Sequence, residues 1–229
     1  MLCSDAFSPH AGRLPGCGGA PHIQAAQSVA ASMVWAADAL HTGAAPVVAT
    51  GHAALDDVLP GGGWPAGALI ELLPAGGTEE GAAVPLWPLV LPALATVAAP
   101  SPVGALRAAP VVALVGPPAP WGQPGPCQPC LPALAAAGLL SSQLVWLRGD
   151  SAAAELWSAE QALRCAEVGA VLAWLPQARQ ADLRRLHLAA VQRGAGLLFV
   201  LRSARAAREA SPALLRLSLS PSAAAGAGE

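Results

Sequence analysis

Leu59-Pro-Gly-Gly-Gly-Trp-Pro-Ala-Gly-Ala-Leu-Ile-Glu-Leu-Leu-Pro-Ala-Gly-Gly-Thr-Glu-Glu-Gly-Ala-Ala83 is the stretch on which the fold of this 229-residue chain turns. Pro60–Pro65 is dense in glycine and proline and reads as a tight turn. Ala68–Leu73 is apolar except for Glu71, the signature of a strand covered on both faces. A glycine-rich loop follows at Pro74–Gly81, then a helix over much of Ala82–Val97. The same alternation runs outward from there. Val47–Ala49 is a short strand candidate, and a short helix lies between Thr50 and Leu59. On the other side come a strand at Val111–Val115, a short helix at Ala133–Ala137 and a strand at Gln143–Leu147. A helix capped by Ser151 extends to Glu167, followed by a strand at Ala170–Leu175. Asp182–Arg193 is a helix whose apolar face is expected to hold Leu183, Leu186, Leu188 and Val191. Strands at Gly196–Leu201 and Leu214–Leu219 close the series. Apolar strands alternating with helices predict an α/β fold with a mostly parallel sheet sandwiched between helical layers.

Composition narrows the function classes. Charged residues make up 11% and hydrophobic residues 54%, against about 25% charged in an ordinary domain, so disorder along the whole length is excluded. The chain has no Lys, Tyr or Asn, so no chemistry that requires a lysine can occur. A net charge of −2 gives no global attraction to nucleic acid or anionic lipid. The start, Met-Leu-Cys-Ser-Asp5, has no basic segment followed by an apolar run, which reads as no signal peptide. The uncharged stretches 81–106 and 108–147 are interrupted by prolines too densely for a spanning helix. A cytoplasmic location is expected. Cys127-Gln-Pro-Cys130 sits in a proline-rich connection without a second ligand pair at close spacing, and reads as incidental thiols rather than a metal or redox site.

The loop after the leading strand is where a parallel sheet binds ligands. Gly76 and Gly81 have the spacing of a phosphate-binding loop, but Ala82 and Ala83 stand where its Lys and Ser/Thr belong. Glu79 and Glu80 add negative charge that repels a polyphosphate. The loop is a degenerate cradle, and no cofactor is expected.

Thr50-Gly-His-Ala-Ala-Leu-Asp56, Leu59-Pro-Gly-Gly-Gly-Trp-Pro-Ala-Gly67 and Ala68-Leu-Ile-Glu-Leu-Leu73 together resemble the entry to the RecA ATPase core. The resemblance continues at lower specificity through Val111–Val115, Trp157–Arg164 and Val168–Leu175, and covers about residues 47–219. Within that superfamily the chain resembles ImuA, the bacterial translesion-synthesis accessory family. The features that carry this are Val34-Trp-Ala-Ala-Asp38, Gly61-Gly-Gly-Trp-Pro65, Ala173-Trp-Leu-Pro176 and Ala181-Asp-Leu-Arg-Arg-Leu186. The resemblance implies a three-layer RecA-like core whose nucleotide-site motifs are degenerate. The magnesium-binding Asp of the family falls on or near Trp174, and the catalytic Glu has no counterpart in Gly116–Trp121. With the phosphate Lys also absent, three requirements of ATP hydrolysis fail together, and no enzymatic activity is expected.

What the resemblance implies instead is partnership. The partner is an ImuB-like Y-family homologue and, through it, an error-prone DnaE-type polymerase; RecA itself is a further candidate. A SulA-like division inhibitor that binds FtsZ is the alternative on a related fold, and a divergent ATPase is a second. Direct DNA binding stays open. Eight arginines against two acids lie between Arg179 and Arg216, whereas seven acids face two arginines before Arg148, and arginines make the phosphate contacts of non-specific binding. Arg179, Arg184, Arg185, Arg202, Arg205 and Arg208, with Trp64 and Trp121 in turns, are the candidate partner or DNA contacts. His52 and His187 read as structural. The expected organisation is a tail over 1–27, a helix and linker over 28–45, the core over 46–219 with a proline-rich connection at 116–132, and a second tail over 220–229.

Overall fold

A computed structural model describes residues 23–25, 46–74, 86–100, 109–116 and 129–220. Strands β1 (Ile23–Ala25), β2 (Val47–Val48) and β3 (Trp64–Pro65) flank a short helix, α1 (Ala53–Asp56). The main alternation then runs β4 (Leu69–Pro74), α2 (Leu86–Ala98), β5 (Val111–Val115), α3 (Leu131–Ala136), β6 (Leu144–Leu147), α4 (Ala152–Arg164), β7 (Val168–Trp174), α5 (Gln180–Arg193), β8 (Leu197–Leu201) and β9 (Leu215–Leu219). Two single 3-10 turns, Ser141–Gln143 and Ala204–Arg208, precede β6 and follow β8. The sheet order is β1-β9-β4-β8-β7-β5-β6. From β9 to β6 all neighbours are parallel, and β1 pairs antiparallel with β9. This is an α/β, three-layer RecA-like core.

The central position of β4 explains its apolar run. Period-two alternation sends Ile70 and Leu72 to one face, beside Val112, Leu114, Leu172 and Phe199, where Leu86, Leu89, Val90 and Leu94 of α2 cover them. Leu69 faces the other side, with Ala113, Val115, Val171, Leu198 and Val200, under Ala159 and Leu163 of α4 and Leu183 and Leu186 of α5. Both faces are dry, so neither strand face needs polar residues. Ser151 caps α4 as its position suggests, its Oγ accepting from the Ala154 N–H at 3.2 Å.

The Thr50–Asp56 motif has a structural reason. Asp56 Oδ1 accepts from the Thr50 N–H at 2.9 Å, and Thr50 is fully buried. Gly51 has φ +81°, and a Cβ there would lie 2.3 Å from Pro92 Cβ of α2, so only glycine fits. His52 Nε2 lies 3.0 Å from the Pro88 carbonyl, which ties the same turn to α2.

Three sequence expectations change. Ile23–Ala25, inside the stretch read as a tail, forms the edge strand on β9, in register with Leu217–Leu219. On α5, Leu183, Leu186, Ala189 and Ala190 are buried, while Leu188 and Val191 are about half exposed. Leu188 is two residues past Leu186, which at 3.6 residues per turn carries it to the opposite side of the helix. Trp64, a candidate contact from its place in a turn with core packing as the competing reading, is fully buried. Its ring meets Phe199 edge-on at 5.1 Å. The Gly61–Gly63 turn folds it back onto the sheet, and at Gly63 a Cβ would come within 2.6 Å of the Val48 carbonyl oxygen, so a side chain there would block the close approach of β2.

Candidate interaction surface

The carboxyl ends of the parallel strands are where ligand chemistry would sit. The degenerate cradle (Gly76, Gly81, Ala82, Ala83) and Trp121 lie outside the described residues. The neighbouring strand ends are described. Trp174 closes β7, and its ring packs against Trp87 of α2 with centroids 6.5 Å apart. An indole offers no oxygen to a hard cation. Beside it, β5 runs into Gly116, where a Cβ would lie 3.0 Å from the Trp174 carbonyl oxygen and 3.3 Å from Glu155 Oε1. Sequence reading did not single out Glu155. Burial pushes its carboxyl above the usual carboxylate range, and the Arg148 guanidinium opposes that shift.

The arginine cluster divides in two. Arg202 does not reach the surface: its side chain is 3% exposed. Its Nη1 donates to Glu71 Oε1 at 3.3 Å, and its Nη2 to Glu209 Oε2 at 2.8 Å and to the Ala178 carbonyl. Arg216 completes the network from β9, its Nε donating to Glu71 Oε2 at 2.6 Å. The other Arg216 nitrogens donate to the carbonyls of Glu209 and Ala206. Glu71 points from β4 to the face that carries Ala204–Arg208, so the two arginines clamp the β8–β9 connection onto the sheet. This corrects the expectation that Arg202 contacts a partner or DNA. A buried guanidinium is paired inside, because water no longer solvates it. Arg193 is also committed, its Nη1 donating to the Leu163 and Cys165 carbonyls.

Arg179, Arg184, Arg185, Arg205 and Arg208 remain exposed. Arg179 and the wall formed by Arg202 and Glu209 enclose an open cavity of about 420 Å³ between the connections after β7 and β8. Arg184 and Arg185 lie on α5, and Arg205 and Arg208 lie on the 3-10 turn. The structure therefore brings Arg179 to the strand ends but places Trp64 in the core, far from any shared surface role.

A different residue carries the aromatic signal. Trp157 on α4 is 60% exposed. Arg164, two turns further along the same helix, donates to Glu160 Oε1 at 2.7 Å, and Arg185 of α5 donates to Glu160 Oε2 at 2.6 Å. Both guanidinium side chains are 57% exposed while Glu160 is only 10% exposed. One buried carboxylate thus holds two arginines outward beside an open tryptophan. On the helix wheel Trp157, Gln161 and Arg164 share a face, with Ala159 and Leu163 opposite. That lone Trp on a polar face was the available sequence signal.

Among the described residues no helix is long and apolar enough to cross a membrane. No family model matches the chain, and no curated protein matches it. Among solved structures, the chain is similar to the crystal structure of SulA from Pseudomonas aeruginosa, with 24% identity over 61% of this chain and 99% of that one, at a TM-score of 0.42.

Proposed function

We propose that this chain is a non-catalytic RecA-like accessory protein of SOS-induced mutagenic translesion synthesis. In this reading it docks on an ImuB-like partner and through it serves an error-prone DnaE-type polymerase. The observation that carries the docking role is the Trp157–Arg164–Arg185 surface, because tryptophan and arginine are the residues that anchor protein interfaces when they are open and pre-positioned. The Trp174–Trp87 pair at the strand ends supports the absence of nucleotide chemistry. The choice of partner rests on the resemblance carried by Val34–Asp38, Gly61–Pro65, Ala173–Pro176 and Ala181–Leu186.

The test is co-expression with the ImuB-like protein of the same genome, with FtsZ as the parallel bait. Retention on the ImuB-like protein, weakened about thirtyfold by Trp157→Ala as for an interface hot spot, is the expected result. Retention on FtsZ alone would make the chain a division inhibitor instead. A fluorescent ATP analogue is expected not to bind; micromolar binding lost on Glu80→Ala would restore the nucleotide site.

A further inference from the structure

The sheet has two edges of different character. At one, β9 is covered by the antiparallel β1. At the other, β6 ends the sheet, with no strand beyond it among the described residues. Exposed edges are normally blunted by charge, proline or a bulge, because an open ladder recruits other chains. β6 reads Leu-Val-Trp-Leu and carries none of these. The chain has no charged residue anywhere from Ala108 to Leu147. Leu131 of α3 is 50% exposed, Leu140 53% and Val145 of β6 itself 41%. Helix α3 packs on the 3-10 turn that leads into β6. That turn is braced: Gln143 Oε1 accepts from the Leu140 N–H at 3.0 Å, and Gln143 Nε2 donates to the Ala98 carbonyl at 2.6 Å. The edge is therefore held in place, apolar and neutral.

We propose that β6 pairs antiparallel with β6 of a second copy of this chain, joining the two sheets into one. Charge selects the occupant. A partner strand with charged residues would bury them against a neutral apolar surface, which is costly. A second copy presents the same neutral surface. A two-fold axis perpendicular to the sheet makes the strands antiparallel and keeps each face on its own side. Leu144 and Trp146, which pack on the α2 side, then meet their counterparts there, and Val145 and Leu147 meet theirs on the α4–α5 side.

Light scattering and sedimentation of the full chain at micromolar concentration test this. The expected mass is twice the 22.7 kDa of one chain. Val145→Lys places like charges opposite each other and should weaken the dimer by at least about tenfold. Because Val145 is already exposed, its thermal unfolding should stay two-state and its circular dichroism unchanged; Leu140→Glu serves as a second variant outside the strand. A monomeric wild type overturns the proposal, including the case in which slow amide exchange of Leu144–Leu147 shows the edge covered by another segment of the same chain. Assemblies that grow past two with concentration would indicate head-to-tail pairing and also overturn it. So would folded variants that both dimerise as tightly as the wild type.

Discussion

Replacing Glu71 by Leu removes the carboxylate that Arg202 and Arg216 share, and its consequence can be worked from the structure. Glu71 is fully buried in the central strand and the Arg202 side chain is 3% exposed, so neither is solvated. Breaking one partner of a buried pair costs about 3–5 kcal/mol, because the remaining charge is stranded. Here Arg202 keeps Glu209 and the Ala178 carbonyl, and Arg216 keeps two carbonyls. The lower end, about 3 kcal/mol, is therefore expected. For a domain of this size that corresponds to a fall in Tm of roughly 6–12 °C. Urea unfolding followed by circular dichroism reads the change in midpoint. Adding Arg202→Met and Arg216→Leu to Glu71→Leu should recover most of the loss, since a well-packed apolar triad avoids the desolvation of three charges. A Glu71→Leu loss below about 1 kcal/mol would mean the network contributes no more than surface pairs do, and the reasoning would fail. Failure of the triple variant to recover stability would instead locate the effect in packing around the β8–β9 connection.

Trp157→Ala should weaken capture of the partner while changing stability by less than about 0.5 kcal/mol, because the ring makes an exposed surface rather than core; equal loss of both would reassign it to the core. Gly51→Ala forces φ +81° on an alanine and drives its Cβ into Pro92; a loss of about 2 kcal/mol or more is expected in urea, and an unchanged midpoint would contradict the geometry. Burial lowers the pKa of His187 from its ordinary 6.5, and its Nδ1 lies 3.4 Å from the Leu69 N–H, which donates to it. The unfolded chain then binds the proton first, so stability should fall as pH drops below about 6.5 towards the lower folded value. His187→Gln should flatten that slope, and an equally steep slope in the variant would assign it elsewhere.

The strand positions were legible because a sheet dry on both faces leaves a continuous apolar run. Val111–Val115 matches to the residue, and β4, β7 and β8 lie within one or two residues of the expected bounds. The helices were legible through their caps and punctuation, as at Ser151. Their exposed faces were less so. On α5 an apolar residue at any position raises the count of apolar residues, but only the helical angle relative to the sheet says that Leu188 and Val191 point outward. Composition also made the arginine excess visible without showing which arginines are used.

The sequence by itself determined the alternation of strand and helix and the absence of lysine, because each depends on residues close together in the chain or on composition. Tertiary structure alone decided what the charges and aromatics do. Glu71 meets Arg202 across 131 positions and Arg216 across 145, contacts that follow from β4 lying between β8 and β9. Trp64 is buried because a turn returns it to Phe199, while Trp157 is open because its helix face points away from the sheet. Local pattern specifies which way a chain curls and how it alternates. Whether a given side chain is solvated depends on which distant segment covers it, and that is set only when the strands are ordered in space.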